Sequence, residues 1–89
     1  MINPDAIDLF YNIGHNIKYY RNLYSQTNSK MTQERLAEAA DVSTALIANI
    51  ESDKINQGIS VFTLWKISKA LDIPIQKLLD NPIDLETKV

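Results

Sequence analysis

Thr32 and Ser43 constrain this chain more than any other residues, because between them there is room for one helix of about two turns and a tight turn, and nothing else. Thr32 can cap a helix whose apolar positions are Leu36, Ala37, Ala39 and Ala40. That helix must stop early, since Asp41 tolerates the left-handed conformation that closes a helix and Ser43 offers a new cap for a second helix over about 44–52. Two such helices cross closely only if a small residue sits at the crossing. Ala37 does so opposite Ile47 and Ile50, and Val42 in the turn plugs the base of the same cluster. With Ile47 as the inward direction, Ile50 and Ser43 fall within about 60° of it and Glu51 within about 40°. Ala45 and Asn49 lie on the opposite side, flanked by Leu46, Ala48 and Ser52.

The flanks read as further helices. Asn3-Pro4 starts the first, with Asp5 and Asp8 favourable to its dipole, and Phe10, Ile13, Ile17, Tyr20 and Tyr24 form one apolar stripe that predicts a helix to about Tyr24. The polar, aperiodic residues 25–30 predict a loop. After a loop over 53–58, Ser60 caps a fourth helix over about 61–71, and Ile73-Pro74 opens a short fifth that ends before Asn81-Pro82. The pattern holds five helices and no convincing strand, followed by a tail over 83–89.

Length and composition close off several function classes. With 89 residues the chain builds one small domain, and 45% apolar content with only two glycines and three prolines marks an ordered protein. The absence of cysteine removes disulfides, thiolate metal sites and cysteine nucleophiles. No apolar run is long enough to span a membrane and the N-terminal residues are acidic, so a cytoplasmic location is expected. The net charge of −2 argues against nucleic acid at first, but it is unevenly spread. Residues 11–71 carry seven basic against five acidic side chains, whereas the two ends together carry −4. His15, the only histidine, has no partner ligand and reads as a surface residue, and Tyr11, Tyr19, Tyr20, Tyr24 and Trp65 read as packing residues at helical spacing. Glu34/Glu38 and Asp80/Asp84 read as solvated faces, since no nucleophile, metal or phosphate-cradling motif accompanies them. No cofactor and no enzyme activity are expected.

Two short helices at this spacing make a helix-turn-helix. Thr32-Gln33-Glu34-Arg35-Leu36-Ala37, followed by Val42-Ser43, Ile47 and Ile50-Glu51, resembles the Cro/C1-type helix-turn-helix domain of phage repressors and small bacterial regulators. The resemblance extends to Ile13-Gly14-His15-Asn16-Ile17-Lys18-Tyr19-Tyr20-Arg21 on one side and to 63–73 and 75–79 on the other. It implies an all-α, five-helix lambda-repressor-like fold: an N-terminal extension over 1–12 continuing into the first helix, a domain over 13–79 with its motif at about 32–52, and a tail over 80–89. The chain departs from the family by Asp41 and Asp53 in place of common glycines, by Leu46 in place of a polar residue, and by about five extra residues between Arg21 and Gln33. The last departure implies a lengthened loop beside the path of a DNA backbone.

The resemblance also implies roles. Gln33 would anchor a phosphate together with the free N–H groups of its helix turn, and Ser43, Lys30 and Lys54 would contact the backbone. Thr44, Ala45 and Asn49 would face bases in the major groove, Asn49 suited to adenine and the methyls of Thr44 and Ala45 to thymine. Arg21 and Glu51 would form a buried ion pair serving stability rather than readout, with Leu36, Ala37, Val42, Ile47 and Ile50 as the motif core. The expected partner is double-stranded DNA at a palindromic operator, bound by a homodimer that represses transcription. The dimer surface would be the fifth helix with the tail (Ile83, Leu85, Val89), or else the N-terminal extension (Ile2, Ile7, Phe10). The competing readings are a protein-interaction module that uses outward Leu46 and Ala48, and an antitoxin that combines both activities.

Overall fold

A computed structural model describes residues 4–52 and 59–81, and within them the chain is all helical: α1 (Pro4–Thr27), α2 (Gln33–Ala40), α3 (Thr44–Glu51), α4 (Val61–Ala70) and α5 (Gln76–Leu79). The expected cap at Asn3, the loop over 53–58 with Lys54, and the tail from Pro82 lie outside the described residues.

α2, α3 and α4 each begin at a hydroxyl. Thr32 Oγ1 accepts from the Arg35 N–H at 3.1 Å, Ser43 Oγ from Leu46 at 3.0 Å and Ser60 Oγ from Thr63 at 3.0 Å. Each cap contributes about 1 kcal/mol. α2 and α4 also end alike. Asp41 and Asp72 are left-handed, with φ of 57° and 59°, and each precedes an apolar residue whose N–H returns to the last full turn: Val42 to the Ala37 carbonyl and Ile73 to the Ser68 carbonyl, both at 3.0 Å. Val42 and Ile73 then pack against the core, so the backbone that closes each helix also supplies an apolar plug.

Two boundaries differ from the sequence expectation. α1 runs on to Thr27 because its polar end satisfies itself. Ser25 Oγ donates to the Arg21 carbonyl at 3.1 Å and accepts from the Met31 N–H at 2.7 Å, and the Asn28 N–H reaches the Tyr24 carbonyl at 2.9 Å. Most of the extra length is therefore helix, and the connection to α2 is only 28–32. α5 starts at Gln76 rather than at Ile73-Pro74. Ile73 is consumed in closing α4 and is barred from helical backbone by Pro74, so a tight turn precedes the helix.

α1 lies against α3 and α5, and α2 against α3 and α4. The core between them is Ile13 and Ile17 of α1, Met31, Leu36, Ala37 and Ala40 around α2, Ile47 and Ile50 of α3, Leu64, Ile67 and Leu71 of and beside α4, and Leu78 of α5. Gly14 is required where α1 crosses α3, because a Cβ there would collide with the Ile50 carbonyl oxygen. Buried Asn16 uses both amide hydrogens to hold the end of α5, donating to the Leu78 carbonyl at 3.0 Å and the Asp80 carbonyl at 2.7 Å.

The aromatic residues divide. Tyr20 and Tyr24 are half-buried against the core as their spacing predicts, but Tyr11 and Trp65 are exposed. The core stripe of α4 runs through Leu64, Ile67 and Leu71, and Trp65 stands about 100° from Leu64 on the helix surface, which turns it to water.

Candidate nucleic-acid interface

α2 and α3 are strapped together by a network on Glu51. Arg21 Nε donates to Glu51 Oε2 at 2.8 Å and Nη2 to Oε1 at 2.9 Å, a two-pronged pair whose side chains are 12% and 4% exposed. The third guanidinium nitrogen, Nη1, donates to the Met31 carbonyl at 3.0 Å. Gln33 Nε2 donates to the same Glu51 Oε1 at 3.0 Å. One carboxylate thus ties α1, the start of α2 and the end of α3, with each prong of the guanidinium fixed by geometry that lysine lacks. The inward direction of Glu51 follows from its wheel position. Its bond to Gln33 has no signature in the sequence, because Gln33 is recognisable only as a first-turn residue of α2.

The outer face of α3 carries the residues expected to meet bases. Ala45 and Asn49 are exposed and Thr44 is half-buried at the first helical position. Ser43 is exposed, and while its oxygen caps Leu46 its hydroxyl hydrogen is free to donate outward. Because the first N–H groups of a helix have no carbonyl within it, those of Thr44 and Ala45 at α3, and of Gln33 and Glu34 at α2, are left for an external acceptor. The dipole of each helix adds partial positive charge there. Lys30 is exposed in the connection before α2, and its carbonyl accepts from Arg35 Nη1 at 2.8 Å, which folds Arg35 back along the same edge.

Behind this face Leu36, Ala37, Ile47 and Ile50 are buried and Val42 is half-buried, so the turn and both helices form one packed unit. Leu46 does not project into solvent as its wheel position implies. It is half-buried and packed against the core, and Ala48 is half-buried as well. The apolar pair on which an interaction-module reading depends is therefore largely withdrawn from the surface. His15 is exposed and stacks on Tyr11 with ring centroids 5.8 Å apart. Among the described residues no three His, Cys, Asp or Glu side chains converge as metal ligands, and no helix is long and apolar enough to cross a membrane.

A family model described as helix-turn-helix matches residues 17–78, well over half of the chain. No curated protein matches the chain with significant similarity.

Proposed function

Because this chain belongs to the Cro/C1-type helix-turn-helix family of DNA-binding regulators, we propose that it represses transcription in the cytoplasm by occupying a palindromic operator as a homodimer. The observation that carries the reading is the pairing of a rigid strap with a free face: Glu51 locks α3 to α1 and α2, while Ala45 and Asn49 stand exposed on the other side of the same helix.

In this reading α3 enters the major groove. The Asn49 amide pairs with N6 and N7 of an adenine, and the methyls of Thr44 and Ala45 meet thymine methyls, giving an A·T-leaning half-site. Gln33, the free N–H groups at the start of α2, and Ser43 hold phosphates and fix register without reading sequence. Lys30 and Lys54 add electrostatic attraction. Two half-sites lie roughly 34–36 Å apart, one helical turn.

The test is selection from random duplex DNA followed by salt titration of the selected site. The selected sequences should be A·T-leaning palindromes, bound with a log–log salt slope of about −0.9 per neutralised phosphate. Asn49→Ala should lose about 1–3 kcal/mol on the selected site and relax preference at one position of each half-site. G·C-only sequences indifferent to Asn49→Ala would overturn the assigned readout, and salt-insensitive binding or none would overturn the function.

A further inference from the structure

The left-handed closures of α2 and α4 are alike in backbone and differ in one respect. Asp41 and Asp72 have φ of 57° and 59°, and the Val42 and Ile73 N–H groups return to the Ala37 and Ser68 carbonyls at the same 3.0 Å. The Asp41 carbonyl, however, accepts a bond from the Lys66 ammonium of α4 at 3.1 Å, whereas the Asp72 carbonyl receives no side-chain donor among the described residues. The closure that leads into α3 is thus tied to a third helix, and the closure of α4 is not.

The lysine that makes the tie is itself seated. Lys66 Nζ stands 4.8 Å from the centroid of the Phe62 ring, one helical turn earlier on α4. A lysine loses much rotational freedom when its end is fixed, and the ring restricts it before the carbonyl is reached. This gives Phe62 a purpose, for it is 63% exposed while Leu64, Ile67 and Ser68 carry the buried side of the helix. Lys69 stands over Trp65 in the same way, 5.8 Å from the ring centroid, but among the described residues it reaches no carbonyl. The two pairs share helix, spacing and charge, and differ in the tie.

We propose that Lys66, seated on Phe62, is a positioning residue for α3: it holds the Asp41 turn and so fixes how α3 leaves α2. The proposal rests on the DNA-binding reading of the preceding section and deepens it, since it assigns part of recognition to a residue of α4, outside the motif. Asp41 holds a side chain in left-handed backbone, a conformation adopted at a cost, and only residues 41–43 separate α2 from α3. A small rotation in so short a turn swings the whole of α3, with Thr44, Ala45 and Asn49 upon it. α4 is packed along α2, so a bond from it to the turn holds the turn against the body of the domain. That freedom is removed before DNA is met, which leaves less ordering for binding to oppose. A lysine beside the motif could instead hold a phosphate, and salt dependence separates the two roles.

Amide hydrogen exchange of the full chain without DNA reads the tie. In Lys66→Met the Val42 N–H should exchange about 2–10-fold faster, the worth of one net hydrogen bond, while the Ile73 N–H of the untied closure keeps its wild-type rate. Phe62→Leu removes the ring and keeps apolar bulk. It should act in the same direction, add little to Lys66→Met when the two are combined, and serve alone should Lys66→Met fail to fold by circular dichroism. Lys66→Arg, which can both sit on a ring and donate to a carbonyl, should keep the wild-type rate, and Lys69→Met should leave it unchanged. On the duplex selected from random DNA, Lys66→Met should bind about 2–10-fold more weakly at an unchanged log–log salt slope, whereas loss of a phosphate contact reduces the slope by about 0.9. Val42 exchange at the wild-type rate in Lys66→Met and Phe62→Leu overturns the tie. Faster exchange with undiminished affinity for the duplex, a slope reduced by about 0.9, or an equal loss of affinity in Lys69→Met overturns the positioning role. Failure of the wild type to bind any duplex refutes the DNA reading, while the exchange rates still decide the tie.

Discussion

Replacing Glu51 by Ala removes one acceptor group and leaves all its donors in place. Arg21 loses bonds of 2.8 and 2.9 Å and Gln33 one of 3.0 Å. At roughly 1.5–3 kcal/mol for each bond to a charged group, three bonds bracket about 4.5–9 kcal/mol. The loss must be smaller than this bracket, because the guanidinium keeps its bond to the Met31 carbonyl and, at 12% exposure, regains some hydration. Breaking one side of a buried pair costs about 3–5 kcal/mol, which is the expected loss here. A chain of this length has roughly 4–13 kcal/mol in total at 0.05–0.15 per residue, so the loss removes at least about a quarter of the stability. Urea unfolding followed by circular dichroism measures the difference at constant slope, and the melting temperature should fall by at least ~12 °C. The double variant Arg21→Met/Glu51→Leu should recover part of the loss, because apolar side chains of similar size remove the uncompensated charge, while the Met31 carbonyl and the Gln33 amide still lose their partners. A loss below about 1 kcal/mol for Glu51→Ala would give the pair only the worth of a surface bridge and refute the reasoning.

Two further perturbations address the packing around the motif. Gly14→Ala should destabilise by about 1–3 kcal/mol in urea melts although alanine favours helix by up to ~1 kcal/mol, because its Cβ meets the Ile50 carbonyl oxygen and must push α3 away from α1; a stabilised variant would refute the close approach. Asn16→Leu should cost about 1–3 kcal/mol for each of the two carbonyls it orphans, at Leu78 and Asp80. Hydrogen exchange should localise that effect to α5, and uniform loss of protection across the chain would contradict it.

What was legible in the sequence is what depends on neighbouring residues. Thr32, Ser43 and Ser60 mark helix starts because a cap acts within its own first turn, and Asp41 marks a stop because left-handed backbone selects for it locally. The inward direction of Glu51 is fixed by helix geometry alone, and the two-pronged bond from Arg21 shows the direction to be right. Features set by distant segments were not legible. Ser25 reads as loop until Met31 is brought within 2.7 Å of its hydroxyl, and Asn16 reads as an ordinary helix residue until α5 presents two carbonyls. Leu46 and Trp65 fail in opposite directions: Leu46 points outward by helix geometry but meets a neighbouring element, whereas Trp65 lies off the buried stripe of α4. Leu46 finds the core beside it, whereas Trp65 and its neighbours Phe62 and Val61 face water.

The Glu51 network joins stability to the proposed DNA contact in a way that the ion pair alone does not imply. An amide nitrogen carries two hydrogens, and Gln33 spends one on Glu51 Oε1 at 3.0 Å. That bond restricts the side chain, which otherwise has several rotatable torsions, and leaves the second hydrogen as the one available to a phosphate. Arg21 in turn fixes the carboxylate by both prongs, so the orientation of Gln33 is inherited from a pair anchored on α1. In the proposed complex the entropy of ordering Gln33 is largely met before DNA arrives, which favours affinity without adding a contact. Lysine at position 21 could keep the charge but not the fork, since a single ammonium cannot hold both carboxylate oxygens in one plane. Register on the phosphate backbone would then depend on a residue that never approaches the DNA, and the buried pair assigned to stability would also serve recognition by holding its neighbour still.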